Sequence, residues 1–345
     1  MKSTPASVIL VTHVEASRGR VRPVIEALLS DPEGPAEVVL VDNASSEEGR
    51  ELADSYGLEL VSRQGGFSDG CNAGIAASSQ PFVALLGHDT VPQDGWLAPL
   101  VDAIGLSGVG AAIPTIEDGT HPGTFNTSGG HLTYLGLAWV SDHGEPIPDD
   151  PALTSAEFPC GGAMLMSRDV WDRFEGFRPE FFLYQEDSDL GWRLRLAGLR
   201  TVRVPASRVV HDYEFGRQAN KMFLLERNRL VTVLSNYRVR TLVLLAPALV
   251  ATELAVAFIA LRDGWFKEKA RSWADVWSNR RWIREGRKLS ERNREIGDAA
   301  MLKTMRWEIS GMPEISTPTG SRVADRLLGL YRGLVVALLK LIERT

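Results

Sequence analysis

Apolar runs that alternate with helix-spaced or polar segments fill the first hundred residues, and they constrain the fold more than any other feature. Val8-Ile9-Leu10-Val11-Thr12, Val38-Val39-Leu40-Val41, Leu58–Val61 and Pro81–Leu86 are short and largely aliphatic. Such strands are buried on both faces, as in a parallel sheet covered by helices. Between them, Arg20–Leu29 carries helical spacing (Val21, Val24, Ile25, Leu28) and stops at Asp31-Pro32. Asp42-Asn43-Ala44-Ser45 reads as a turn that caps a helix over Glu47–Tyr56. Gly65–Gly74 reads as a glycine-rich loop entering a small-residue helix over Asn72–Ser78, and Trp96–Ile104 as a further helix. This βαβ rhythm predicts a doubly wound, mostly parallel α/β sheet with ligands outside the carboxyl ends of its strands. Asp42, Asn43, His88 and Asp89 fall at such ends.

From about 110 to 165 the pattern loosens, and loops with short strands are expected. Order returns with a strand at Ala163–Met166, a helix at Arg168–Phe174, an acidic cluster at Glu186-Asp187-Ser188-Asp189 and a helix at Leu190–Ala197 closed by Gly198. Thr201–Val204 reads as a strand, with His211 just beyond it. Two cysteines, Cys71 and Cys160, are too few for a disulfide framework or a thiolate zinc site. The run Val8–Val11 is too short for a secretory signal, so the fold is expected to begin at the N-terminus. Apolar residues at 44% and charged residues at 24% exclude wholesale disorder and a polytopic transporter.

The net charge of −6 hides an asymmetry. Residues 1–216 hold 14 Lys+Arg against 31 Asp+Glu, and residues 217–345 hold 24 against 13. Two domains are expected on these boundaries: an acidic one unsuited to nucleic acid, and a basic helical one able to face an anionic membrane surface. The composition shift begins near Phe215. Thr241–Leu261 contains one charge, Glu253, and one proline, Pro247, and is long enough to span a bilayer. Five of the nine tryptophans (Trp265, Trp273, Trp277, Trp282, Trp307) lie after residue 262, which fits a membrane interface. Arg326–Arg344 reads as an amphipathic helix with a polar stripe at Arg326, Gly329, Gly333, Lys340 and Arg344. The same segments could instead pack as a helical subdomain on the first domain or on a second subunit.

Several residues carry chemistry on their own terms. Asp42, after the second strand, can accept from a base N–H or a ribose hydroxyl, or it can hold a turn. The Gly65–Gly74 stretch, including Asn72 and Gly74, allows close backbone approach to a ligand, but it matches neither a dinucleotide fingerprint nor a P-loop. Asp89 offers a hard oxygen ligand, and His211 a nitrogen ligand or a hydrogen bond. Three acids within four residues, Glu186, Asp187 and Asp189, repel one another, which raises at least one pKa toward the range of a general base. They can equally be helix-start acids. Gly161-Gly162 permits close approach of a ligand to the backbone or simply a tight turn. Trp192 and Arg193 can line a binding site or pack on the sheet, and Arg227-Asn228-Arg229 could meet an anionic group or form an exposed helix face.

The ordered set resembles a known family. Val39-Leu40-Val41-Asp42-Asn43-Ala44-Ser45, then Gly66-Phe67 through Asn72-Ala73-Gly74, Leu85 to Asp89, Gly161-Gly162-Ala163, Phe181 through Arg193 and Val204-Pro205 to His211 are similar to the motifs of family 2 inverting glycosyltransferases with the GT-A fold, rhamnosyltransferase-like branch. The resemblance covers roughly residues 7–235. It implies a nucleotide-diphosphate sugar donor, a divalent metal (Mn²⁺ or Mg²⁺) and a glycan or lipid-linked acceptor in cell-surface polysaccharide synthesis at the cytoplasmic face of the membrane. Residue by residue it implies that Asp42 and Asn43 meet the nucleotide base, that Asn72 lies near ribose and diphosphate, and that Asp89 and His211 hold the metal. Asp187 would deprotonate the acceptor, with Glu186 in support. The pattern departs at Gly87 and His88, where the family's D-x-D motif has its first acid and middle position; His88 can assist a metal, and an imidazole favours manganese. A polyprenyl-phosphate glycosyltransferase, a non-catalytic nucleotide-sugar binder and a glycan-binding membrane adaptor are the alternatives.

Overall fold

The computed structural model describes residues 3–12, 17, 19–212, 220–312 and 318–342. It resolves two compact units. The first comprises residues 1–130, 140–194 and 199–216; the second comprises 131–139, 195–198 and 217–345. Two short segments that precede residue 217 thus belong with the C-terminal helices, which a single cut at 216/217 does not capture. That cut and Phe215 lie outside the described residues.

The first unit is a mixed, mostly parallel sheet. Its strands are β1 (Thr4–Thr12), β2 (Pro35–Asp42), β3 (Glu59–Ser62), β4 (Phe82–Gly87), β5 (Thr90–Pro92), β6 (Val109–Asp118) and β7 (Phe125–Thr127). Strands β10 (Thr154–Ala156), β11 (Ala163–Ser167) and β12 (Arg200–His211) complete the set, while β8 (Gly130–Leu132) and β9 (Ala138–Val140), mostly in the 131–139 segment of the second unit, form a separate two-stranded sheet. The sheet order is β10-β12-β6-β11-β4-β1-β2-β3, with β5 on β12 and β7 on β6. β1 lies parallel between β2 and β4, and β6 parallel to β12, while β11 runs antiparallel to β4 and β6. Ile9, Leu10, Val39 and Leu40 are fully buried, as strands covered on both faces require. Each such side chain contributes on the order of 1.5–3 kcal/mol relative to exposure. Helix α1 (Val21–Ser30) buries the stripe Val21, Val24, Ile25 and Leu28. Helix α2 (Glu47–Tyr56) is capped by Ser46, whose side chain accepts from the Gly49 N–H, and it ends at a left-handed Gly57.

Three elements differ from the sequence reading. The glycine-rich stretch is helix α3 (Phe67–Ala77), with Gly66 as its N-cap. Its glycines serve packing: a Cβ on Gly74 would run into Ile9 and Val41, and one on Gly70 would meet Asn43 and Val11. The loosened region opens with a ten-residue buried strand, β6, which its alanines and Pro114 disguise. β12 is also twelve residues long, so His211 is its last residue and pairs with Thr90 and Asp118. Helices α4 (Leu97–Ile104), α5 (Arg168–Arg173) and α6 (Glu186–Leu196) complete the unit. α6 begins at Glu186 and therefore takes the acidic cluster into its first turn.

The second unit is helical: α7 (Lys221–Asn236), α8 (Val239–Arg262), α9 (Phe266–Ser278), α10 (Arg281–Asn293), α11 (Asp298–Thr304) and α12 (Pro318–Ile342). α7 packs on α9 and α10. Arg229 is buried within it against Glu226 and Glu253, and fully buried Lys269 reaches the same two carboxylates. Arg227 and Asn228 are buried as well, Arg227 lying over the Phe223 and Trp282 rings and beside Asp275, so this stretch is not an exposed basic face. α8 is long and apolar enough to cross a membrane. In α12 the polar positions share the surface with leucines: Arg326 and Lys340 are exposed, and so are Leu327, Leu330, Leu334 and Leu341. Arg344 lies outside the described residues.

Candidate active site

The register places the carboxyl ends of β1, β2 and β4 on one edge. Thr12 pairs with Asp42, and Val11 with Gly87. The first turn of α3, the strand end at Asp89 and the start of α6 are rich in buried polar atoms without a hydrogen-bond partner. Asn43 Oδ1, Thr12 Oγ1, Ser68 Oγ, Thr90 Oγ1 and Glu186 Oε2 are all of this kind. Orphaned polar atoms are rare in native interiors, and a group of them marks a surface built to meet a polar ligand.

Asp42 does not belong to that set. Its carboxylate is fully buried, accepting from the Ala44 N–H at 3.0 Å and from the Ser46 N–H and hydroxyl, each at 2.7 Å. It holds the turn, with Ser45 at φ 53°, and leaves Asn43 as the half-buried strand-end residue whose amide oxygen lies against α3 without a hydrogen-bond partner. Asn43 Nδ2 donates to the Gly66 carbonyl at 3.3 Å. Asn72 is likewise consumed. Its Nδ2 donates to the Phe177 carbonyl at 2.7 Å, and its Oδ1 accepts from the Phe177 N–H at 3.0 Å, which pins the 174–178 loop to α3. Gly74 packs directly on the sheet, against Ile9 and Val41.

Asp89 and His211 come together. Asp89 Oδ1 lies 3.3 Å from His211 Nε2, and the other ring nitrogen donates to Asn126 Oδ1 at 3.0 Å. Asn126 thereby orients the ring and turns Nε2 toward the carboxylate. Burial pushes Asp89 up, but the hydrogen bond and charge of His211, with His88, hold it below its ordinary value. Burial holds the half-buried His88 imidazole down, and Arg20 and His211 add to that effect. A Cβ on Gly87 would lie 3.0 Å from Asp89 Oδ1 and from Thr90 Oγ1. The position of the missing acid is therefore filled by the Asp89 carboxylate folding back. The pair of a carboxylate oxygen and an oriented imidazole suits a divalent cation that brings further ligands of its own. Among the described residues no group of three or more His, Cys, Asp or Glu could hold a metal.

Glu186 and Asp187 follow a strained approach. Phe182, Tyr184 and Gln185 have φ of 65°, 70° and 69°, a left-handed backbone in non-glycine residues that costs free energy. The Phe182 carbonyl accepts from the Ser68 N–H at 3.2 Å and abuts Gly66, where a Cβ could not fit. Gln185 is locked by Ser188, whose hydroxyl donates to its side chain at 2.7 Å. Asp187 Oδ2 accepts from the Gly161 N–H at 3.1 Å and Oδ1 from the Ser188 N–H at 2.7 Å. Burial pushes Asp187 up to about 6 against those two N–H groups. Burial and then the Asp187 charge push Glu186 up to about 8. Glu186 is buried, whereas Asp187 is partly exposed. Gly162 contributes its carbonyl to the Gly87 N–H at 2.8 Å, which ties the Gly161-Gly162 turn to the Asp89 strand end.

Asp189, Arg193 and Trp192 turn away from this surface. Asp189 Oδ2 is bridged by Arg178 Nε at 2.9 Å and Arg193 Nε at 2.7 Å, and Arg193 also donates to the Phe174 and Gly176 carbonyls. Arg193 and Trp192 are buried, so neither lines an acceptor site. Sequence reasoning missed Thr12, Ser68, Thr90 and Asn126. The first three sit next to residues that were singled out; Asn126 lies in the irregular stretch, where no periodic signal exists. Asn126 also lines a cavity of about 360 Å³, together with Asp118, Thr120, His121, Thr124 and His143.

Residues 7–174 match the family model described as Glycosyl transferase family 2. This segment is a family 2 glycosyltransferase domain. A Drosophila melanogaster protein named for polypeptide N-acetylgalactosaminyltransferase 13 is 26% identical over 231 residues, 60% of this chain and 41% of that one. The N-acetylglucosaminyl-diphospho-decaprenol L-rhamnosyltransferase of Mycobacterium tuberculosis is 33% identical over 87 residues, 24% of this chain and 28% of that one. The chain thus spans well under half the length of these relatives. The crystal structure of GalNAc-T7 with UDP, GalNAc and Mn²⁺ superposes with a TM-score of 0.65 at 16% identity, over 90% of this chain and 58% of that one. This likeness shows that the family 2 domain has the GT-A fold.

Proposed function

We propose that the chain is an inverting glycosyltransferase. It moves a sugar from a nucleotide-diphosphate sugar to a hydroxyl of a glycan or lipid-linked acceptor, for cell-surface polysaccharide, at the cytoplasmic face of the membrane. The observation that carries this reading is Asp187. It is a partly exposed carboxylate with a raised pKa, fixed by the Gly161 and Ser188 N–H groups, and the Gly161-Gly162 turn ties it to the edge that holds Asp89 and His211. The family, the GT-A fold and a relative named for a decaprenol-linked acceptor support it.

In this mechanism Asn43, with Thr12 and Ser68, receives the nucleoside. This takes over the role that the resemblance gave to Asp42, whose oxygens are spent on the turn. Asp89 and His211 would hold a divalent metal, Mn²⁺ or Mg²⁺, which when bound neutralises the diphosphate leaving group. Asp187 takes the proton of the acceptor hydroxyl as its oxygen bonds to the anomeric carbon. The bond from that carbon to the diphosphate breaks, and the nucleoside diphosphate leaves with the electron pair. Buried, protonated Glu186 keeps a second negative charge from the base. The cavity that Asn126 lines offers hydroxyl, imidazole and carboxylate partners for sugar hydroxyls.

The test is a nucleotide-sugar panel with released nucleoside diphosphate measured with Mn²⁺, with Mg²⁺ and with chelator. Release from one donor in the presence of metal, lost in chelator and in Asp89→Ala, is expected. Donor binding without release would favour the non-catalytic reading, and full activity in chelator would remove the metal role.

A further inference from the structure

Helix α8 faces two different surroundings. Along its outer side, Val243, Val250, Leu254, Phe258 and Leu261 are 57–68% exposed. Its inner side buries Leu245, Ala248, Ala257 and Ala260, and the Thr241 hydroxyl donates to Asp298 at 2.5 Å. At mid-length Glu253 is gripped by Arg229, by Lys269 Nζ at 2.7 Å and by Trp273 Nε1 at 2.6 Å. These partners belong to α7 and α9, which also carry Lys221, Glu226, Lys267, Glu268 and Arg271. A helix crossing the bilayer would drag this ionic cluster and two charged helices to the hydrocarbon midplane, where charge is costly. Only the outer side is fit for lipid.

α12 repeats the pattern. Val323, Leu327, Leu330, Leu334 and Leu341 are 55–74% exposed at helical spacing, next to exposed Arg322, Arg326 and Lys340. It is joined to α8 by the Tyr331 hydroxyl, which donates to the Leu244 carbonyl at 2.5 Å. Exposed apolar surface on this scale marks an interaction site. Charge selects the occupant. Residues 217–345 hold 24 Lys+Arg against 13 Asp+Glu, so a second copy would bring like charge to like. An anionic lipid surface complements it.

We propose that α8 and α12 lie in the plane of one leaflet of an anionic membrane, outer sides in lipid, and that α8 does not cross. This deepens the membrane part of the proposed function and rests on it.

The test uses the full-length chain made by cell-free synthesis with sealed inverted bacterial membrane vesicles. Val239→Cys and Arg262→Cys, at opposite ends of α8, are probed with a membrane-impermeant maleimide, with the unsubstituted chain as blank. Labelling of both ends from outside is expected; protection of one end until detergent opens the vesicle would show a span and overturn the proposal. Flotation on phosphatidylcholine vesicles with and without phosphatidylglycerol checks the reading beneath it. Binding should require phosphatidylglycerol and fall at least tenfold in Leu254→Glu/Phe258→Glu and in Leu330→Glu/Leu334→Glu, with melting temperature unchanged because these residues are exposed. Failure to float on either vesicle would refute membrane attachment itself, and a dimer in sedimentation would then identify a second copy as the occupant.

Discussion

Glu186 and Asp189 lie three residues apart on one helical turn, and they are built for opposite ends. Asp189 is a fully buried anion between two guanidiniums, Arg178 and Arg193. Asp189→Asn removes the carboxylate that bridges two buried guanidiniums, a change that typically costs about 3–5 kcal/mol. Its denaturation midpoint should fall sharply, whereas Asp187→Asn should fold normally. Glu186 has the reverse sign. Its folded-state pKa is raised from an ordinary 4.5 to about 8, so the native chain holds a proton that the unfolded chain releases. Stability therefore falls as pH rises through that window. Glu186→Gln removes the penalty: it should melt several degrees above wild type at pH 9 and match it at pH 4. A variant that melts lower at pH 9 would contradict this. At this scale the sequence showed which residue types cluster, but not which carboxylate is spent internally. Asp42 and Asn43 are neighbours at one strand end, and only the turn geometry shows Asp42 closed on Ser46 and the Asn43 amide oxygen left without a partner.

At the scale of elements, α3 is where packing decides the structure. Its glycines let the helix settle against β1 and β2 so closely that Gly74 faces Ile9 and Val41 without a side chain between them. Gly74→Val should overpack this contact and cost about 1–3 kcal/mol, read as a lowered melting temperature, while Ala73→Val should cost less. The strands β1, β2 and β4 were legible because burial on both faces leaves no polar position to interrupt the run. β6 and the long β12 were not. Alanines, Pro114 and Pro205 weaken the apolar pattern, and the pairing that rescues it is between strands ninety residues apart. The same blindness hid Asn126, which follows β6 and orients His211 from a distance in sequence that no local spacing reports.

The whole chain is electrically polarised, with 14 Lys+Arg against 31 Asp+Glu up to residue 216 and 24 against 13 after it. That division was visible in the sequence; the enclosure of segments 131–139 and 195–198 within the second unit was not, because it depends on tertiary contacts. On the proposed function, the acidic first unit receives a doubly charged diphosphate, which makes charge neutralisation at Asp89 and His211 and a single ionised base its central requirements. Asp187, raised to about 6, meets the second of these near neutral pH, and turnover should fall as pH drops below that value. The most direct measurement compares donor affinity and nucleoside diphosphate release in the wild type, Asp187→Asn and Asp189→Asn at pH 7.5 with Mn²⁺. The predicted result is that Asp187→Asn binds the nucleotide sugar as tightly as wild type while release in the presence of acceptor drops by about 10²–10⁴. Undiminished release in Asp187→Asn, or loss of release only in a folded Asp189→Asn, would contradict it.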